Sequence, residues 1–204
     1  MELYIIRHGQ TVWNKERKLQ GSTDIMLNEE GIRLAKLTGE GLKNVYFDKI
    51  YSSPLTRAYD TACCIRGDRS IPIVRDERLR ELCFGDLEGK NIDEMAKDKS
   101  SHFQHFFDEP HLYVPDEKGE TLESIRQRGA DFLREEIEAH EKEYKRVMIV
   151  AHGAMNKALL SHIRKNEIKD FWGGAVQRNC NVIIIKLENG IYEILEEDKV
   201  FYDC

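Results

Sequence analysis

Apolar positions along this chain come in two kinds of run, and the two kinds alternate. Leu3-Tyr4-Ile5-Ile6 and Val147-Met148-Ile149-Val150-Ala151 are continuously apolar, the pattern of strands buried on both faces of a sheet. These strands, over about 2–6 and 147–151, are joined by others at about 48–52, 181–187 and 191–195. The last two flank Glu188-Asn189-Gly190, and Asn-Gly in that position predicts a hairpin turn. Between the strands the spacing becomes helical. Asn28 is placed to cap a helix opening at Glu29-Glu30, with Ile32, Leu34, Ala35, Leu37 and Leu42 on its apolar side. Ser53-Pro54 reads as an N-cap followed by proline at the first helical position, with the helix running through Arg57 towards Cys64. Thr121 opens another, carrying Leu122, Ile125, Phe132, Leu133 and Ile137, and a fourth follows Gly153 with Met155, Leu159, Leu160 and Ile163.

Strands alternating with helices predict an α/β fold of three layers: a mostly parallel sheet with helices on both faces. The pattern breaks down over about 88–119, which holds His102, His105, His111, Phe103, Phe106, Phe107 and two prolines. This stretch is expected to be a mainly helical insertion that forms a wall or lid within a single domain spanning 1–204.

Composition narrows the function classes. A net charge of −6 without a basic tract argues against general nucleic-acid binding, though a pocket of opposite local sign stays open. No apolar run approaches the length needed to span a bilayer. Five scattered cysteines without a C-x-x-C pair suggest neither a disulfide framework nor a zinc knuckle. The chain enters a strand at once, with no basic-then-apolar leader, so the expected compartment is the cytoplasm. A sheet edge near the C-terminus leaves a homodimer open.

The chemistry gathers at strand ends. Arg7-His8-Gly9 follows the first apolar run and His152-Gly153 follows the run at 147–151. Ligands of open α/β sheets bind at that carboxyl edge. A phosphoryl-transfer site without metal needs a nucleophile, cations for the phosphate oxygens, and an acid for the leaving oxygen. His8 is the candidate nucleophile. Arg7, Arg57 and His152 are candidate cations, with Arg57 in the first turn of its helix, where the helix end adds positive charge. Glu81 is the candidate acid, and a bound phosphate beside it would favour a proton on its carboxyl. Neighbouring cations should keep His8 neutral and nucleophilic.

Plainer readings exist for each. His152 alone fits a hydrogen-bonded core histidine, and Glu77 competes with Glu81 in the charged run 75–81. The three insertion histidines lack a carboxylate or cysteine to complete a metal set, so no metal is expected. The insertion phenylalanines fit lid packing, and Trp13 and Trp172 fit core or pocket wall.

The sequence resembles the histidine phosphatase superfamily, the phosphoglycerate-mutase-like proteins. The matching stretches are Arg7-His8-Gly9-Gln10-Thr11-Val12-Trp13-Asn14, Leu19-Gln20-Gly21, and Tyr51-Ser52-Ser53-Pro54-Leu55-Thr56-Arg57-Ala58 with Thr61-Ala62. They continue with Glu81 to Gly89, Gly119-Glu120-Thr121, and Val150-Ala151-His152-Gly153, in the family's order over nearly the whole chain. The resemblance implies that His8 is phosphorylated, that Glu81 donates the proton, and that Arg7, Arg57 and His152 hold the phosphoryl group. It adds Asn14 as a donor and Gln20 and Gly21 as substrate contacts, and it implies no cofactor.

Mutases and phosphatases of this family share the phosphohistidine and differ in what accepts the phosphoryl group. The cofactor-dependent mutases carry Glu-Arg-x-Tyr-Gly at the acid, where this chain has Leu82 and Phe84. The insertion also lacks a basic cluster for a second phosphate. The expectation is therefore a phosphomonoester hydrolase acting on a small phosphorylated metabolite. A 2,3-bisphosphoglycerate-dependent phosphoglycerate mutase is the alternative, and a phospho-ligand binding module without turnover ranks third.

Overall fold

A computed structural model describes residues 1–98 and 102–203; the side chain of His102 and all of Cys204 lie outside the described residues. In chain order the elements are β1 (Glu2–Arg7), α1 (Val12–Lys15), α2 (Glu29–Gly41), β2 (Lys49–Ser52), α3 (Thr56–Arg66), β3 (Ile73–Arg75) and α4 (Ile92–Met95). There follow α5 (His105–Asp108), α6 (Leu122–Phe132), β4 (Arg146–Ala151), α7 (Gly153–Arg164), β5 (Val182–Glu188) and β6 (Ile191–Lys199).

The strands form one sheet in the order β3-β2-β4-β1-β5-β6. β1, β2, β3 and β4 run parallel, while β5 and β6 are antiparallel additions. The continuously apolar runs occupy the sheet centre, and alternation within them separates two cores. Leu3, Ile5, Val147 and Ile149 face α6 and α7, among Phe132, Met155 and Leu159. Tyr4, Ile6, Met148 and Val150 face the side of α3, among Phe47, Ala58, Ala62 and Ile65. The expected three layers are present, with α2 packed on α3 and α6 on α7.

Caps behave as the sequence suggests at two helices. Asn28 accepts from the Gly31 N–H and Thr121 from the Ser124 N–H. The hairpin between β5 and β6 carries Asn189 and Gly190 at φ of 53° and 75°. That is the positive-φ pair a two-residue turn of matching twist requires. Past Phe132 the chain continues as a π-helical turn, Leu133–Ile137, which keeps Leu133 and Ile137 in the core.

One expectation is corrected, and one strand is new. Ser53 does not cap α3, which begins at Thr56 after Leu55. Its first turn is capped instead from a distance, by the Asp24 carboxylate accepting from the Thr56 N–H at 2.8 Å and hydroxyl at 2.7 Å. β3 is not visible in the sequence pattern, because three residues give no period to read. The insertion holds short helical pieces, as expected. Phe103 and Phe106 are buried in the main core, and Phe106 meets Trp172 edge to face with centroids 5.0 Å apart.

Parallel pairing brings three strand ends to one edge. The register sets Arg7 opposite Ala151 and Ser52 opposite Val150. β1 then leads to the α2 and α3 layer and β4 to α7 on the other face, so a crevice opens between their carboxyl ends. One close approach fixes its geometry. A Cβ on Gly31 would lie 2.1 Å from the Gln10 carbonyl oxygen, and one on Gly9 would lie 2.6 Å from that of Gly31. Both clashes are with backbone, which cannot step aside.

Gly31→Ala is therefore expected to destabilise the fold by about 1–3 kcal/mol, the usual range for overpacking, although alanine is the better helix former. Urea unfolding of the two proteins measures this; equal midpoints would refute the close-packing argument.

Candidate active site

His8 follows β1 directly and continues its pairing, its N–H donating to the Ala151 carbonyl at 3.0 Å. The imidazole is buried, 2% exposed. Its Nδ1 lies 2.7 Å from the Gly9 carbonyl oxygen. A carbonyl can only accept, so Nδ1 carries the proton and Nε2 is left with its lone pair. Burial, then Arg57, then Arg7, hold His8 well below its ordinary pKa, so the ring is neutral at pH 7.

Two arginines flank it. Arg57 is fully buried and donates to the carbonyls of Gly21 at 2.7 Å and Thr23 at 2.8 Å. Arg7 donates to the Gln177 carbonyl. Burial pushes Arg57 down to about 10 and lowers Arg7 as well, yet both stay charged at neutral pH. Both are held by carbonyl oxygens, so their positive charge is not cancelled by a contacting carboxylate. Arg7 Nε, Arg57 Nε and His152 Nδ1 have no hydrogen-bond partner. Buried polar atoms in that condition are rare, and here three cluster around one histidine.

Glu81 lies against the N-terminus of α7. Its oxygens accept from the N–H groups of Leu82 and Met155 at 3.0 Å and of Ala154 at 3.2 Å. Gly153 lies close by: a Cβ there would make ordinary contact with Glu81 Oε2 at 3.7 Å and Arg7 Nε at 3.9 Å, and would be tight only against Val176 Cγ1 at 3.2 Å. His152 precedes α7, its ring 5.2 Å from that of His8 and its Nε2 2.7 Å from Ser53 Oγ. Burial, followed by Arg57 and His8, depresses its pKa well below the ordinary value. His152 is thus neutral here, a correction to its expected place among the cations. Ser53 Oγ also accepts from the Leu55 N–H at 3.3 Å, just ahead of α3.

Arg7, His8, Asn14, Gln20, Gly21, Arg57 and Glu81 line one cleft of about 510 Å3, a size suited to a small molecule. His152 lies behind its wall, fully buried. Thr11 orients two of the others. Asn14 Oδ1 accepts from the Thr11 N–H at 3.1 Å, and Gln20 Oε1 from its hydroxyl at 2.9 Å, which turns both amide NH2 groups away from Thr11. Gly21, at φ of 56°, offers Arg57 its carbonyl. The far half of the cleft is apolar and aromatic, with Trp13, Leu19, Phe84, Ile92, Phe107 and Trp172.

Three positioning residues escaped the sequence reading. Glu88 gathers the 21–23 loop, accepting from the N–H groups of Ser22 and Thr23 at 2.8 Å and from Phe84 at 3.0 Å. Burial alone would raise Glu88; the hydrogen bonds from Thr23, Ser22 and Phe84 outweigh it and hold the carboxyl below its usual range. Arg128, paired with Glu120 at 2.8 Å, ties down the carbonyls of Arg78, Arg80 and Glu81. Gln177 is fixed by Asn156 and Asn181 at 2.8 and 2.9 Å. Among these, only the acidic residue before Gly89 left a sequence signal. Among the described residues no three metal-ligating side chains gather; His105 pairs with Glu109 at 3.0 Å.

The family model of the histidine phosphatase superfamily, branch 1, matches residues 3–197. The chain belongs to the histidine phosphatase superfamily. It is 36% identical to Bacillus stearothermophilus YhfR, whose structure superposes with a TM-score of 0.89 over 98% of both chains. Among curated relatives, the Bacillus subtilis protein named uncharacterized phosphatase PhoE is 38% identical over 159 residues, 78% of this chain and 75% of that protein. A 2,3-bisphosphoglycerate-dependent phosphoglycerate mutase of Cytophaga hutchinsonii is 34% identical over 170 residues, 82% of this chain and 79% of that one. The superfamily relatives thus include both phosphatases and mutases.

Neutral, buried His8 and His152 make stability depend on pH. Their folded pKa values lie below those of the unfolded chain, so the unfolded state binds more protons below about pH 6.5. Their contribution is complete above that pH and is lost as pH falls below it, by up to about 1.4 kcal/mol per pH unit per histidine. Denaturant unfolding at pH 7.5 and 5.0 should show a smaller acid loss in His8→Asn than in the wild type; equal losses would refute the neutral buried imidazole.

Proposed function

We propose that the chain is a metal-independent phosphomonoester hydrolase that acts on a small phosphorylated metabolite through a phosphohistidine on His8. The observation that carries this reading is the free Nε2 of His8 beside two arginines that no carboxylate neutralises. The Arg7 and Arg57 forks suit phosphate oxygens and spread the charge of the transferring group. Asn14 and Gln20 offer amide N–H donors, Gly21 shapes the same wall, and His152 offers Nδ1 from behind.

In the first step the Nε2 lone pair attacks phosphorus, the bond to the leaving oxygen breaks, and the Glu81 carboxyl passes its proton to that oxygen. In the second, water attacks phosphorus, the Glu81 carboxylate accepts a proton from it, and the N–P bond breaks to release phosphate. Nucleophile, positive charge and proton carrier all come from the chain.

A mutase is the second reading, favoured by the curated relatives of that name. It would need a second phosphate site. The other cations lining the cleft, Arg17 and Lys18, are paired with Asp93 at 2.5 Å and Glu16 at 2.8 Å. Leu82, at the position where mutases carry arginine, is fully buried in the core. Both observations support hydrolysis.

Release of p-nitrophenol from p-nitrophenyl phosphate should persist in EDTA, fall to the buffer rate in His8→Ala, and drop about 10²–10⁴-fold in Glu81→Gln. Equal rates in wild type and His8→Ala would overturn the reading. Efficient isomerisation of phosphoglycerate with 2,3-bisphosphoglycerate, and negligible hydrolysis, would establish the mutase instead.

A further inference from the structure

The mouth of the cleft is built from two segments far apart in sequence. The turn at 14–18 is laced to α4: the Ile92 N–H donates to the Arg17 carbonyl at 2.8 Å, and Asn91 Nδ2 to that of Glu16 at 3.0 Å. Arg17 adopts φ of 56°, a left-handed conformation unfavourable for a residue with a side chain. Its guanidinium meets Asp93 fork to fork, Nε to Oδ2 at 2.5 Å and Nη2 to Oδ1 at 2.6 Å. Both residues line the cleft. Lys18 is occupied by Glu16, so the mouth carries two cations and two carboxylates in closed pairs.

The wall inside is apolar. Phe107 and Trp172 lie with centroids 5.0 Å apart, and the Trp172 indole N–H is spent on the Phe106 carbonyl. Phe107 remains 39% exposed. The leaving-group half therefore offers ring faces and, among its described residues, no charge outside the Arg17–Asp93 and Lys18–Glu16 pairs.

We infer that Asp93 is a specificity-determining residue: by closing Arg17 into a bidentate pair at the mouth, it selects phosphomonoesters whose leaving group has an apolar body and no second anionic group. This rests on the hydrolase reading and adds the class of ester. A leaving group bearing a carboxylate meets the Asp93 charge and must first break a fork-to-fork pair to reach Arg17. The pair is half-exposed, so the discrimination is moderate. An exposed pair of good geometry contributes about 1 kcal/mol, or about fivefold in a binding constant.

The test compares kcat/KM for phenyl phosphate and 3-carboxyphenyl phosphate, which differ by one carboxylate, in the wild type, Asp93→Ala, Asp93→Asn and the double variant Arg17→Met with Asp93→Ala. The wild type should prefer phenyl phosphate. Either Asp93 substitution should shift the ratio about fivefold towards the carboxylated ester, through KM rather than kcat, as a contact equal in ground and transition states requires. Adding Arg17→Met should abolish the shift. Folding of each variant is checked by thermal melting, and Asp93→Asn keeps the side-chain size. A ratio unchanged by both Asp93 substitutions, or a wild-type preference for the carboxylated ester, would overturn this inference alone. No hydrolysis of either ester by any of the four proteins would overturn it together with the hydrolase reading.

Discussion

The site depends on two guanidinium groups that backbone carbonyls hold and carboxylates do not touch. Removing a charge from water costs several kcal/mol unless it is compensated. A direct acid partner would be the simplest compensation for Arg57, which is fully buried. The fold uses the Gly21 and Thr23 carbonyls instead, and keeps Glu81, Asp24 and Glu88 near enough to attract without contact. The cost is lowered and the charge survives for a ligand. This is how a chain of net charge −6 carries a cleft with two cations that no contacting carboxylate cancels. The same field reaches His8, where burial and the two arginines disfavour the imidazolium.

Holding carbonyls in place becomes the structural task. Each arginine needs oxygens at fixed positions, and each set of oxygens needs its own anchor. Glu88 binds the N–H groups of Ser22 and Thr23, so the carbonyls of that loop face Arg57. Asn156 and Asn181 pin the Gln177 side chain, which steadies the carbonyl that Arg7 uses. Asn179 donates to the His8 carbonyl at 3.0 Å, and Thr61 Oγ1 accepts from Gly9. Parallel register supplies the rest, because it brings the ends of β1, β2 and β4 level without long loops.

The sequence shows what is periodic or local. β1 and β4 were legible as unbroken apolar runs, the starts of α2 and α6 as Asn28 and Thr121, and the hairpin as Asn189-Gly190. Ordered motifs led to the residues that meet in the cleft. The misreadings share a cause, which is tertiary contact overriding a local rule. Ser53-Pro54 has the chemistry of a cap, but Ser53 Oγ lies against His152, and Asp24, 32 residues back in the chain, caps α3. His152 resembles a cation by its position beside phosphate-binding motifs, yet burial and Arg57 keep it neutral. Arg128 donates to backbone carbonyls and Gln177 lends its own to Arg7, and such roles leave no pattern of side-chain types to read.

The two halves of the cleft obey different constraints. The half around His8 is built on strand ends and helix starts, where small displacements would spoil several hydrogen bonds at once. The other half rests on aromatic residues split between two duties. Phe84 and Phe106 are buried and packed edge to face at 5.1 Å, and Phe103 stacks on Phe106 at 5.4 Å. They anchor the 88–119 segment in the main core, and changing them disturbs the fold before it changes a substrate. Phe107, Arg17 and Asp93 lie at the mouth with substantial exposure. Substitution there removes little packing, since exposed side chains contribute little to the core. Selectivity for the leaving group can therefore be altered at the mouth while the charge arrangement around His8 stays intact, because no hydrogen bond of the Arg7 or Arg57 fork passes through these residues.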